Sequence, residues 1–147
     1  MKLVPDAVRD IMLYLEENLT LEVVDNKPEY SSISYLKLAD ELVPSKHYSK
    51  EEVVYAIQQL CQCDMIKAHI TTGKSRRYIT CDIYDISWTG HEFLNNIRPQ
   101  TVWEATKEKA TKLGGMSIKA LAFLSSTIIQ AIASNPELIN SIVKSIQ

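Results

Sequence analysis

Glycine and proline are scarce in this chain, four and five among 147 residues. That scarcity excludes collagen-like repeats and low-complexity linkers; with 46% hydrophobic and 23% charged residues the composition is that of an ordinary globular protein. Cysteine is equally sparse, and the odd set Cys61, Cys63 and Cys81 builds no disulfide framework. Met1 to Asp6 lacks the apolar core of a secretory signal, so a reducing cytoplasm is the expected compartment. No charge of one sign dominates: a net −2 excludes wholesale coating of nucleic acid. Gly-x-Ser-x-Gly, a phosphate-cradling glycine loop and His-Glu-x-x-His are all missing, so no catalytic residue, cofactor or enzyme activity is expected. Metal chemistry is equally unexpected, because Cys61 and Cys63 would point about 200° apart on a helix and no second cysteine pair follows.

What is present is an uneven distribution of charge. Residues 1–44 carry −5, whereas residues 45–77 carry +3 from Lys46, Lys50, Lys67, Lys74, Arg76 and Arg77 against three carboxylates. The middle of the chain is therefore the candidate anion-facing surface.

Periodicity gives the elements. Val8, Ile11, Met12 and Leu15 form one helical stripe, with Asp6 as the expected cap. Leu19–Val24 reads as a short strand and Asp25–Tyr30 as a turn-rich break. A second helix is expected over about residues 35–42, with Leu36, Ala39 and Leu42 inward and Pro44 ending it. Residues 43–48 then form the turn of a helix-turn-helix. Ser49 and Glu52 match a capping box, so a third helix runs from Lys50 to about Cys63 and buries Val53, Ala56, Ile57 and Leu60. A strand over 67–71, a turn at 72–75 and a returning β-branched and aromatic strand over 76–86 make a basic hairpin. The exit Ser87-Trp88-Thr89-Gly90-His91-Glu92 opens a further helix, with Trp88 expected in the core, Gly90 at a tight approach, and Phe93, Leu94 and Ile97 inward. His91 and Glu92 side by side are read as packing and capping rather than acid–base chemistry.

The fold class expected is α+β, mainly α with a small β-hairpin: a winged helix-turn-helix over 1–98 followed by a helical extension over 99–147. Pro99 ends one helix, Thr101 is expected to cap the next, and Gly114-Gly115 ends that one. Met116–Ile132 is apolar on nearly every side, and Ser134-Asn135-Pro136-Glu137 has cap chemistry for a last helix. Such a tail can fold back, pair with a second subunit or enter a membrane. At 17 residues with Lys119 inside it is short for a bilayer, so the expectation is a homodimer seam formed by Leu121, Phe123, Leu124, Ile128, Ile129, Ile132, Leu138 and Ile142.

Three blocks, Val8–Asn18, Ile86–Arg98 and Thr101–Lys109, resemble a bacterial and prophage family designated domain of unknown function twenty-five-thirteen. The resemblance covers roughly residues 3–120. It implies a winged-helix-like fold and a prophage setting, and brings no catalytic residues to carry over. From the residues themselves, the leading expectation is a transcriptional regulator contacting double-stranded DNA through Lys46, His47, Tyr48, Ser49, Lys50 and Tyr55 and through the hairpin tip Lys74, Arg76 and Arg77. The alternative is an adaptor or inhibitor that contacts a protein partner without DNA, using the acidic residues 1–44 or the apolar tail.

Overall fold

The protein is described by a computed structural model covering residues 1–75, 77–114 and 116–135 and the single positions 137, 140 and 144. It is an α+β fold, mainly helical, with small antiparallel sheets. Helix α1 (Pro5–Asn18) buries Ala7, Val8, Ile11, Met12 and Leu15. Pro5 stands at its start and Val4 at its cap, because proline has no N–H to leave unsatisfied there. Asp6 is therefore not the cap, and its carboxylate serves a different contact.

The stretch read as a break after Val24 is a hairpin. Strands β1 (Leu21–Val24) and β2 (Lys27–Tyr30) pair antiparallel, and Asp25 and Asn26 turn the chain at φ 50° and 61°. Two consecutive left-handed residues give the twist that a two-residue hairpin needs, and Asp and Asn are the side chains that tolerate it. Strand β3 (Ile33–Ser34) leads into α2 (Tyr35–Lys46), and α3 (Lys50–Gln62) follows. Pro44 does not end α2; it lies inside the last turn, giving up the bond its N–H would have made to the fourth residue back, and His47 at φ 63° makes the stop. Leu36 points outward, and Tyr35, Leu38, Ala39 and Leu42 are the buried side chains.

Helix α3 has the expected capping box: Ser49 Oγ accepts from Glu52 N–H and Glu52 Oε2 accepts from Ser49 N–H, both at 3.1 Å. Val53, Ala56, Ile57 and Leu60 are all buried. Strands β4 (Ile66–Thr72) and β5 (Tyr78–Ile86) form the long hairpin, and β3 joins the other side of β5, giving the order β3-β5-β4.

Three further helices, α4 (Trp88–Ile97), α5 (Gln100–Leu113) and α6 (Ile118–Ser134), complete the described chain. A Cβ on Gly90 would lie 1.9 Å from the Met65 carbonyl oxygen, so α4 approaches the start of β4 as closely as only glycine allows. This contact decides which face of α4 turns inward: Gly90, Phe93, Leu94 and Ile97 are buried. Trp88, about 200° from Gly90 at 100° per residue, consequently stands in solvent at 79% exposure rather than in the core. The buried tryptophan is Trp103 on α5, whose Nε1–H donates to Asp6 Oδ1 at 2.8 Å. Pro99, not Thr101, occupies the cap of α5. Gly114 ends it at φ 72°.

Arg9 fastens α1 to the end of α4 by donating to the Ile97 and Arg98 carbonyls. One core cluster runs from Ala7 through Trp103, Ala110, Ile118 and Leu121, with no break in packing at Arg98 and Pro99. Helix α6 folds back onto α4 and α5 and buries Ile118, Leu121, Ser125 and Ile128. The last helix expected from the sequence falls mainly outside the described residues.

Candidate nucleic-acid interface

Two elements carry the residues singled out for anion contact: the α2-turn-α3 corner and the tip between β4 and β5. At the corner, Lys46 ends α2 and His47 reverses the chain, both exposed. Tyr48 is occupied structurally. Its hydroxyl donates to Asp10 Oδ2 at 2.7 Å, pinning the turn to α1, and burial together with this carboxylate pushes the phenol well above its ordinary range. Ser49 is likewise engaged by the capping box. Lys50 Nζ lies 3.0 Å from Asp40 Oδ1, with both side chains largely in solvent. Such an exposed pair is worth about 0–1 kcal/mol. Beyond it Glu51 and Gln62 are exposed, and Tyr55 and Gln58 are half-buried on the side of α3 away from the core stripe.

At the tip, Gly73 N–H donates to the Arg77 carbonyl at 3.0 Å, and Lys74 and Arg77 project into solvent. Arg76 lies outside the described residues. Tyr35 Oη–H donates to the Tyr78 carbonyl at 3.1 Å, tying the base of the hairpin to the start of α2. Among the cysteines, the neighbouring Cys81 thiol and burial push the Cys61 thiol up, Cys63 rises through burial, and the hydrogen bond with Cys61 lowers Cys81, whose side chain is buried. Of the adjacent His91 and Glu92, the carboxylate accepts from Trp88 Nε1–H at 3.0 Å, and His91 is exposed.

The seam residues separate by face. Leu121 and Ile128 are buried against their own chain and are not available to a second copy. The reason is that α4 and α5 already supply the apolar cover that α6 requires. Leu124, Ile129 and Ile132 are half-buried, Phe123 is 70% exposed, and Leu138 and Ile142 lie outside the described residues. A cleft of about 360 Å³ runs between α4 and α6, lined by Glu92, Asn95, Asn96, Ser126, Ile129 and Gln130.

Sequence reasoning missed one surface, the β1–β2 hairpin and the aromatic group it joins. Tyr30 meets Tyr84 edge-on at 6.5 Å between ring centroids, and His69 stacks on Tyr84 at 4.6 Å. Asp25-Asn26 between Leu21/Val23 and Pro28/Tyr30 was the available signal, an Asx-rich two-residue turn between alternating apolar positions.

The family described as Hypothetical protein (DUF2513) matches residues 2–117, most of the chain, and the protein belongs to that family. No curated protein and no solved structure matches it.

Proposed function

We propose that this member of the DUF2513 family is a cytoplasmic, prophage-type transcriptional regulator that binds double-stranded DNA as a homodimer, and is not an enzyme. The observation that carries the reading is the element order: with the β1–β2 hairpin set aside, α1, β3, α2, α3, β4 and β5 and the strand order β3-β5-β4 are compatible with a winged helix-turn-helix. In that arrangement α3 enters the major groove and the β4–β5 tip reaches the neighbouring backbone. Lys46, His47 and Lys50 then supply contacts at one end, Lys74 and Arg77 at the other, and Tyr55, Gln58 and Gln62 face the base edges. Tyr48 and Ser49 act indirectly, by fixing the angle between α2 and α3. The outward face of α6 around Phe123 joins two copies, so that two α3 helices meet two half-sites.

The test is duplex binding by the full chain, followed by fluorescence anisotropy at low salt. Lys74→Glu combined with Arg77→Glu is expected to weaken binding at least about tenfold, since two charge-reversed contacts turn from attraction to repulsion. Binding stoichiometry in the same titration is expected to be two chains per duplex. Unchanged affinity in the charge-reversed variant would overturn the reading.

A further inference from the structure

We infer that the free outer edge of β1 is a docking strand for an extended segment of another protein, one that carries a basic residue between two apolar ones. This stands independently of duplex binding and uses a different surface.

The argument starts from hydrogen-bond phase. Ser31 N–H donates to the Thr20 carbonyl at 3.0 Å at the base of the β1–β2 hairpin. In an antiparallel ladder bonded and non-bonded pairs alternate. With the register Leu21↔Tyr30, Glu22↔Glu29, Val23↔Pro28 and Val24↔Lys27, the bonded pairs are Glu22↔Glu29 and Val24↔Lys27. Leu21, Val23, Pro28 and Tyr30 thus aim their backbone polar groups away from the partner strand. On the β2 side this edge is blunted, because Pro28 has no N–H to offer. On the β1 side Leu21 and Val23 present both N–H and C=O outward, with no proline and no lysine to discourage pairing.

Side chains give the chemistry. All eight strand residues of the hairpin are exposed, yet Leu21, Val23, Pro28 and Tyr30 share one face, with Leu21 at 56%, Val23 at 73% and Tyr30 at 53% exposure. On the other face Glu22 stands directly opposite Glu29, a like-charge pair that weakens the isolated hairpin. Neither glutamate makes an ion pair among the described residues. A third strand on β1 would cover Leu21 and Val23 with its apolar positions and set its intervening residue beside Glu22, where a Lys or Arg neutralises the repulsion. Self-pairing is disfavoured by the same chemistry: two β1 strands aligned Leu21 to Val23 bring Glu22 against Glu22. The occupant is therefore a different, basic-and-apolar strand, joined by β-augmentation.

The experiment uses the isotopically labelled full chain and a short blocked peptide, Thr-Val-Lys-Val-Thr, with its Glu-for-Lys counterpart as control. The Lys peptide is expected to shift the amide resonances of Leu21 and Val23 and slow their exchange with solvent, while the Glu peptide leaves them unmoved. Glu22→Lys, at an exposed position and with an unchanged far-UV spectrum as its folding control, is expected to weaken the Lys peptide by up to about fivefold, the upper range of one cross-strand charge pair, and to admit the Glu peptide. Equal response to both peptides, perturbation centred elsewhere, or none at millimolar peptide would overturn the inference. So would movement of the same two amides with protein concentration alone, which would make a second copy the occupant.

Discussion

Gly90→Ala separates tertiary constraint from local propensity, because the two predict opposite signs. In a helix interior, alanine for glycine is worth about 1 kcal/mol of stabilisation. Here the added methyl would meet Met65 O at 1.9 Å and Ile86 Cγ2 at 2.8 Å, and the first of these is backbone that cannot rotate away. The Met65 carbonyl also accepts from Ser87 N–H at 3.1 Å and, shared with the nearer Asp64 carbonyl, from Ser87 Oγ–H at 3.1 Å. Moving α4 off β4 loses those two bonds at about 1 kcal/mol each, and residual overpacking adds about 1–3 kcal/mol. Set against the propensity gain, the net is a loss of about 2–4 kcal/mol, or a fall in Tm of about 10 °C. Urea unfolding followed by far-UV circular dichroism measures it. Gly73→Ala is the control, since its methyl would meet only the Ile79 side chain at 3.3 Å. A Gly90→Ala protein as stable as the parent, or more stable by about 1 kcal/mol, would refute the close-approach argument.

Two further outcomes concern α5 and α4. Trp103→Ala should cost about 3–5 kcal/mol, because the ring is 1% exposed, while Trp88→Ala should change stability by less than about 1 kcal/mol, at 79% exposure; equal losses in denaturant titrations would contradict the assignment of the two indoles. For Asp6, burial opposes ionisation, but hydrogen bonds from Lys107 Nζ at 2.9 Å and Trp103 Nε1 at 2.8 Å outweigh it and hold the carboxyl below its ordinary value. A folded pKa below the unfolded one, near 3.9, means the contribution is full at neutral pH and is lost as pH falls through the folded value. Asp6→Asn should therefore flatten the acid limb of the Tm-versus-pH curve, and an unchanged limb would remove Asp6 from that role.

What could be read from the chain alone follows the range of the forces involved. Helix α3 was legible in full, because its capping box and its buried stripe are written within thirteen residues and neither depends on a distant partner. Gly90 was legible as a tight point, but its partner, the Met65 carbonyl, was not, and without that partner the inward face of α4 could not be phased. Trp88 was consequently put on the wrong side. Asp6 fails for the same reason: a capping residue and a buried tryptophan's acceptor look alike until α5 is brought 97 positions back onto α1. Pro44 shows local propensity overridden, since α2 runs two residues past it to Lys46 despite the lost N–H. At the candidate interface, charge and exposure at Lys46, His47, Lys74 and Arg77 were local matters, whereas the anchoring of Tyr48 to Asp10 required the tertiary contact between the turn and α1. The all-round apolar character of α6 was visible; that α4 and α5 cover part of it was not.

The most direct test of duplex recognition by α3 and the β4–β5 tip is the salt dependence of binding, measured for the parent chain and for Lys74→Glu/Arg77→Glu. If α3 and the tip contact phosphates, the logarithm of affinity falls linearly with the logarithm of salt, with a slope reduced by about 2 in the variant, close to one counterion for each phosphate contact removed. No binding to any duplex at low salt, or an identical slope in both proteins, would contradict it.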